Sequence, residues 1–211
     1  MFELLNAGGI FMYGTLAISI ATVAIAIQRI YTLWLKLRLP AAAQVKQVLD
    51  LSDSGSYPQA LQLCGLSQHP LMRIMKAALV RADRGERAIR RAVESAAASE
   101  LPAIRNLTGY LPHLANLATL MGLLGTIHGL IISFRGIGNA ESTAARQAML
   151  SKGIAVAFYN TFFGLAVALV TVAVFMIISG RQSRITTAME VATARLVDAL
   201  ASHRGPQEPA R

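Results

Sequence analysis

The sequence predicts an all-α membrane protein: three transmembrane helices with long helical extensions on the cytoplasmic side. Three observations carry the membrane class. Uncharged apolar runs at 9–27, 111–134 and 153–179 approach or exceed the length needed to cross a bilayer, which takes about 20 residues for about 30 Å of hydrocarbon. The 211 residues are 54% hydrophobic and only 15% charged, whereas soluble domains have about a quarter of their residues charged. The net charge of +9 is segregated between the apolar runs, a pattern that suits membrane orientation better than nucleic-acid binding. The single cysteine, Cys64, excludes an internal disulfide or a cysteine-based zinc site and reads as a reduced thiol.

In chain order, 1–35 holds the N-terminal segment and first span, and 36–110 a cytoplasmic helical domain. The second span is 111–134, a periplasmic connection 135–152, the third span 153–180, and a cytoplasmic helix and tail 181–211. Before the first span stands only Glu3, and no small-residue cleavage site follows it, so it reads as a retained helix and not a signal peptide. Arg29, Lys36, Arg38 and Lys46 follow it, which places that end in the cytoplasm and the N-terminus in the periplasm. Three crossings then leave the C-terminus cytoplasmic. The outer connection carries Arg135, Arg146 and Lys152 against Glu141, a mild departure from the charge rule. Gly14, Ala17, Ala21 and Ala24 form a small stripe on the first span among bulky residues such as Ile18, Ile20 and Val23, so this helix is expected at the periphery, largely against lipid.

The cytoplasmic segments read as amphipathic helices. Ala88, Ile89, Ala92, Val93, Ala96 and Ala97 recur at helical spacing, and Glu86–Arg90 and Arg90–Glu94 are opposite charges one turn apart. A similar stretch covers 70–84. Pro102 and Pro112 predict a kink or restart before the second span. Ile185, Ala188, Ala192, Leu196 and Ala199 mark the face of a further helix after the third span, and 205–211 reads as a frayed tail.

At heptad spacing the second span shows Ala115, Thr119, Gly122, Thr126, Gly129 and Ser133, and the third Ala157, Thr161, Gly164, Ala168 and Thr171. Lipid offers no hydrophobic drive between helices, so small residues commonly mark where they pack. Two readings stay open: packing alone, or a narrow, weakly polar pore wall built from several copies, in which threonine hydroxyls hold water or relay a proton. Thr119, Thr126, Asn160, Thr161 and His128 are the candidate pathway residues; Gly122, Gly125, Gly129 and Gly164 are the candidate packing residues. His128 and Asn160 also fit neutral, hydrogen-bonded packing roles. The three runs contain no Asp, Glu, Lys or Arg, so an ion-carrying carboxylate would have to come from a partner chain. No nucleophile–base pair, metal-ligand spacing or phosphate loop points to an enzyme, and no cofactor or metal is expected.

These residues resemble the MotA/TolQ/ExbB proton-channel family over nearly the whole chain. The opening 1–33 with Gly8-Gly9, Met12 and Arg29, and the stretch 60–79 with Leu63-Cys64 and Pro70-Leu71, are similar to ExbB-type proteins. The most specific pieces are LANLATLMGLLGTIHGLIISF at 114–134 and GIAVAFYNTFFGLAVAL at 153–169, where GLLGT is followed in the next span by Thr-x-x-Gly-Leu. The resemblance implies five such chains around a dimer of a single-span ExbD-, TolR- or MotB-like partner. The partner's membrane aspartate would carry the proton, or alternatively sodium, past Thr126 and Thr161 in the inner membrane. It implies a stator that turns the ion gradient into work for transport, envelope energy transduction or motility. Val156 and Val170 stand where ExbB and TolQ usually have glutamate and proline, and Gln28 where a glutamate precedes the arginine. Val156 and His128 look closer to the MotA branch. The competing reading is a non-conducting scaffold that recruits partners or anionic lipid through its basic cytoplasmic helices.

Overall fold

A computed structural model describes residues 9–37, 42–138 and 142–202. The described residues form helices and the turns between them, and three helical stretches are long and apolar enough to cross a membrane. The expected frayed tail and the flanking charges Glu3, Arg38 and Glu141 lie outside the described residues. The chain divides into two compact units, one of residues 1–30 and 107–179, the other of 31–106 and 180–211.

The first unit is built from α1 (Ile10–Tyr31), α6 (Tyr110–Gly138) and the first part of α7 (Thr143–Ser202). On α1 the buried residues are Met12, Thr15, Thr22, Ala26 and Arg29, while Ala17 and Ala24 of the expected stripe are exposed. The packed face is thus set by a methionine and threonines, of which Thr15 donates its hydroxyl proton back to the Phe11 carbonyl at 3.1 Å. Gly14 does face inward: a β-carbon there would collide with the Met121 side chain.

The restart before the second span falls between the two prolines. Pro102 sits in the last turn of α5 (Glu86–Arg105), Leu107 adopts φ +60°, and α6 begins at Tyr110 with Pro112 in its first turn, where a missing N–H costs no helical bond. Thr108 lies in this break. Its hydroxyl, in a residue only 3% exposed, accepts a hydrogen bond at 3.1 Å from Nε of Arg29, also 3% exposed. Thr108→Val should remove this acceptor from a buried guanidinium and destabilise the protein by about 1–3 kcal/mol. The check is the melting midpoint in detergent, where an unchanged value would show that the contact contributes nothing.

The connection expected over 135–152 is mostly helical. Ser142 caps α7: its hydroxyl accepts from the Ala145 N–H at 3.2 Å, and its carbonyl from the Arg146 N–H at 3.0 Å, the arrangement that serine favours at helix starts. The cap lets a run of good helix formers, Ala144 to Leu150, extend the third span backwards. At its other end α7 does not stop at Gly180 but runs on to Ser202, so the separate helix expected after 181 is the same helix continued.

The second unit comprises a π-helical turn (Thr32–Lys36), α2 (Ala42–Asp53), α3 (Tyr57–Gly65), α4 (Pro70–Leu79), α5 and the end of α7. Its buried residues include Leu33, Val48, Leu71, Met75, Ile89 and Leu196. Of the expected face on α7, Ile185 and Leu196 are buried, but the rest of that face is Met189, Thr193 and Leu200; Ala188, Ala192 and Ala199 lie on its flank, half-buried. The expected Glu86–Arg90 pair forms at 2.8 Å, and Arg73 meets Glu100 across α4 and α5 at 3.0 Å. Both involve a well-exposed partner, so solvent screens them and neither anchors the fold. Burial pushes the Cys64 thiol up to about 11 against the opposing charge of Lys76, which leaves it an unreactive core group.

His69 caps α4. Its Nδ1 accepts the Leu71 N–H at 3.1 Å, a role open only to the neutral ring. Burial holds its pKa below the ordinary histidine value, so folding favours the uncharged form. That contribution is complete above the unfolded value of about 6.5 and is lost as pH falls through the lower folded value. The melting midpoint should therefore drop as pH falls below about 6.5, and His69→Asn, which keeps a capping acceptor without titrating, should flatten that part of the profile. An equal slope in both proteins would remove His69 from the account.

Candidate functional site

The two small-residue stripes face each other within one chain. On α6 the buried positions include Ala115, Ala118, Gly122, Gly125, Gly129 and Ser133; on α7 they include Gly153, Ala157, Asn160, Gly164 and Thr171. Membrane helices that lack a hydrophobic drive gain contact by bringing backbones close. The glycines are where this happens. A β-carbon on Gly164 would lie 2.7 Å from the Ala118 carbonyl oxygen and 2.9 Å from the Gly122 Cα, and one on Gly122 would lie 3.1 Å from the Gly164 Cα. At Gly129 it would lie 3.0 Å from the Ala157 nitrogen.

Gly125 is vacant for a different reason. The Asn160 side chain fills the space beside it, so a β-carbon there would lie 2.5 Å from the Asn160 Cγ. Asn160 is 2% exposed, and its amide Nδ2 donates to the Val156 carbonyl at 3.0 Å.

Thr126 and Thr161 lie half-buried at the margin of this seam. Their hydroxyls are hydrogen-bonded to each other. Thr126 Oγ1 also lies 3.1 Å from the Gly122 carbonyl oxygen and 3.3 Å from that of Ala157 on the opposite helix. A hydroxyl carries one proton and two lone pairs. Once the pair has donated to a carbonyl and to one another, lone pairs remain to receive a proton donor from outside, and rotation of either hydroxyl can present a proton instead. The pair can therefore serve an approaching carboxyl group in both its protonation states without becoming charged itself.

The other candidates sit apart from this pair. Thr119 donates to the Ala115 carbonyl of its own helix at 3.2 Å. His128 is two residues from Thr126 and so about 200° around the helix; its ring lies 5.2 Å from that of Phe11 on α1. The structure thus brings together Thr126, Thr161, Asn160 and the four glycines, and turns His128 towards the first helix. Two positions the pathway list did not include help close the seam. Ser133, 2% exposed, donates towards the carbonyls of Met149 and Leu150, and Thr171 donates to Val167 at 2.7 Å. Both belong to the heptad stripes, which was the signal available for them. Outside the seam, Leu123, Ile127, Phe158, Phe162 and Leu169 are exposed in the single chain, apolar surface suited to lipid or to neighbouring helices.

Comparison with known proteins identifies the family. Residues 66–191, more than half of the chain, match the MotA/TolQ/ExbB proton channel family. A relative in Synechocystis sp. named as ExbB-like 3 is 33% identical over 165 residues, covering 78% of this chain and 78% of the relative. Another in Methanothermobacter thermautotrophicus, named as an ExbB homolog, is 29% identical over 180 residues, covering 85% of this chain and 63% of the relative. The family match includes both GLLGT and the paired threonine of the next span, and the fold supplies three helices able to cross a membrane: the chain is a multi-pass membrane protein of the MotA/TolQ/ExbB proton channel family.

Proposed function

We propose that this chain is the channel-forming subunit of an ion-driven motor in the bacterial inner membrane, working with a single-span partner that supplies a membrane aspartate. The observation that carries this is the hydroxyl pair of Thr126 and Thr161 at the margin of an otherwise small-residue seam, in spans that contain no carboxylate of their own. The glycines and alanines are accounted for by packing, so they do not argue for a pore; the half-buried hydroxyls do. Several copies of the chain would turn these margins towards a shared axis, where the partner's aspartate takes up and releases a proton as it passes. The work so coupled drives transport, envelope energy transduction or motility, and the basic face beyond the spans lies in the cytoplasm. Neither a cofactor nor enzymatic chemistry enters this reading.

The test is reconstitution with a single-span protein of the ExbD, TolR or MotB kind that carries an aspartate in its apolar run. Vesicles holding both chains should dissipate an imposed pH gradient, replacement of the partner's aspartate by asparagine should stop it, and mass measurement should give five copies to two. A closed assembly of this chain alone that retains no partner under gentle extraction would support the scaffold reading instead.

A further inference from the structure

In the second unit a groove of about 560 Å³ runs between α2 and α7. Val45 and Leu49 wall one side, Ala188, Val191 and Ala192 the other, and Ser183, Arg184 and Thr187 line one end. We propose that this end binds the headgroup of an anionic phospholipid, with Arg184 meeting the phosphate and the Ser183 and Thr187 hydroxyls donating to its oxygens.

The first argument is charge. No acidic residue lines the groove, because the acids of α7, Glu190 and Asp198, line a separate cavity with Arg90 and Glu94 of α5. Arg184 therefore faces the groove with no lining acid to neutralise it. The second is depth. The apolar run of α7 ends at Ser179, which puts Arg184 five residues on, about 7 Å along the axis. Subtracting a hydrocarbon core of about 30 Å from a bilayer of about 40–45 Å leaves about 5–7 Å for each headgroup layer. Arg195, at the far end of the groove, is about 16 Å deeper than Arg184 and beyond that layer.

The third is the neighbouring residues. Arg181, one helical turn before Arg184 on the same side, holds its guanidinium 5.7 Å from the centre of the Trp34 ring. Its Nε is buried with no hydrogen-bond partner among the described residues. Tryptophan beside arginine at the end of an apolar run is the arrangement that interfaces favour, and basic pockets at this level hold acidic lipid headgroups.

The experiment is native mass spectrometry of the full-length protein, released from detergent with added phosphatidylglycerol or phosphatidylcholine. Wild type should retain phosphatidylglycerol at least about fivefold better, which is the effect of one arginine at the surface of an anionic membrane. Arg184→Gln should remove most of that preference, Arg184→Lys should keep part of it, and Arg195→Gln should leave it intact. Circular dichroism of each variant checks the fold, which substitution of the exposed Arg184 should not disturb. Three results would overturn the proposal: equal retention of the two lipids, equal losses in Arg184→Gln and Arg195→Gln, or displacement of phosphatidylglycerol by millimolar inorganic phosphate. The second would mean a diffuse field, and the third a site for free phosphate. The first, accompanied by a change in subunit number in Arg184→Gln, would assign the groove to a second copy of the chain.

Discussion

Gly164→Leu is expected to abolish the folded protein. The argument is one of distance: the first added atom, Cβ, would already lie 2.7 Å from the Ala118 carbonyl oxygen and 2.9 Å from the Gly122 Cα, both parts of a helical backbone that cannot swing aside as a side chain can. The helices would have to separate, and with them the contacts along the rest of the seam. Even Gly164→Ala should destabilise, although alanine gains about 1 kcal/mol in helix propensity; overpacking costs typically about 1–3 kcal/mol and here meets main chain on two sides. Gly180, on the same helix, is the control. A β-carbon there meets nothing within 4 Å, so Gly180→Ala should be neutral or stabilising by up to about 1 kcal/mol. Melting midpoints of the three variants in one detergent decide it, and equal behaviour of Gly164→Ala and Gly180→Ala would refute the close-packed seam.

The same contrast explains what was legible in the sequence. Where lipid removes the hydrophobic drive, a helix that packs closely must show small residues at regular spacing, and Gly122, Gly129, Ala157 and Gly164 did so in a form readable without coordinates. The face of α1 was not readable in this way. Its apolar residues surround the whole helix, so hydrophobicity carries no direction, and the buried side holds Met12, Thr15 and Thr22 while Ala17 and Ala24 of the small stripe are exposed. The length of α7 was hidden because Gly180 and Arg181 look like a helix end, whereas the backbone simply continues through them. The shortened connection was in principle visible: Ser142 followed by Thr-Ala-Ala-Arg is a capping residue before good helix formers. Sequence spacing can also place Thr126 and Thr161 on their stripes, but whether they sit level with one another depends on the register between α6 and α7, which the chain between the helices and the glycine contacts determine together.

That levelness is what makes Thr161→Val the decisive variant for function. Valine matches threonine in shape and removes only the hydroxyl, and Thr126 keeps the Gly122 and Ala157 carbonyls at 3.1 Å and 3.3 Å as acceptors for its own proton. The fold should therefore lose little, within about 1 kcal/mol for one hydrogen bond at a half-buried site. Ion movement should lose far more. A carboxyl group reaching the seam would find methyl groups where a lone pair or a proton had been, and would have to shed water without replacement, a penalty of at least about 1–3 kcal/mol. Since about 1.4 kcal/mol is a factor of ten in rate, proton flux through the reconstituted complex should fall by about fivefold to a hundredfold. Thr161→Ser, which restores the hydroxyl on a smaller side chain, should recover most of it. Thr119→Val should have a much smaller effect, because that hydroxyl is bonded to the Ala115 carbonyl of its own helix. Flux in Thr161→Val equal to wild type, with the complex intact, would leave the hydroxyl pair as a packing contact and remove the observation on which the channel reading rests.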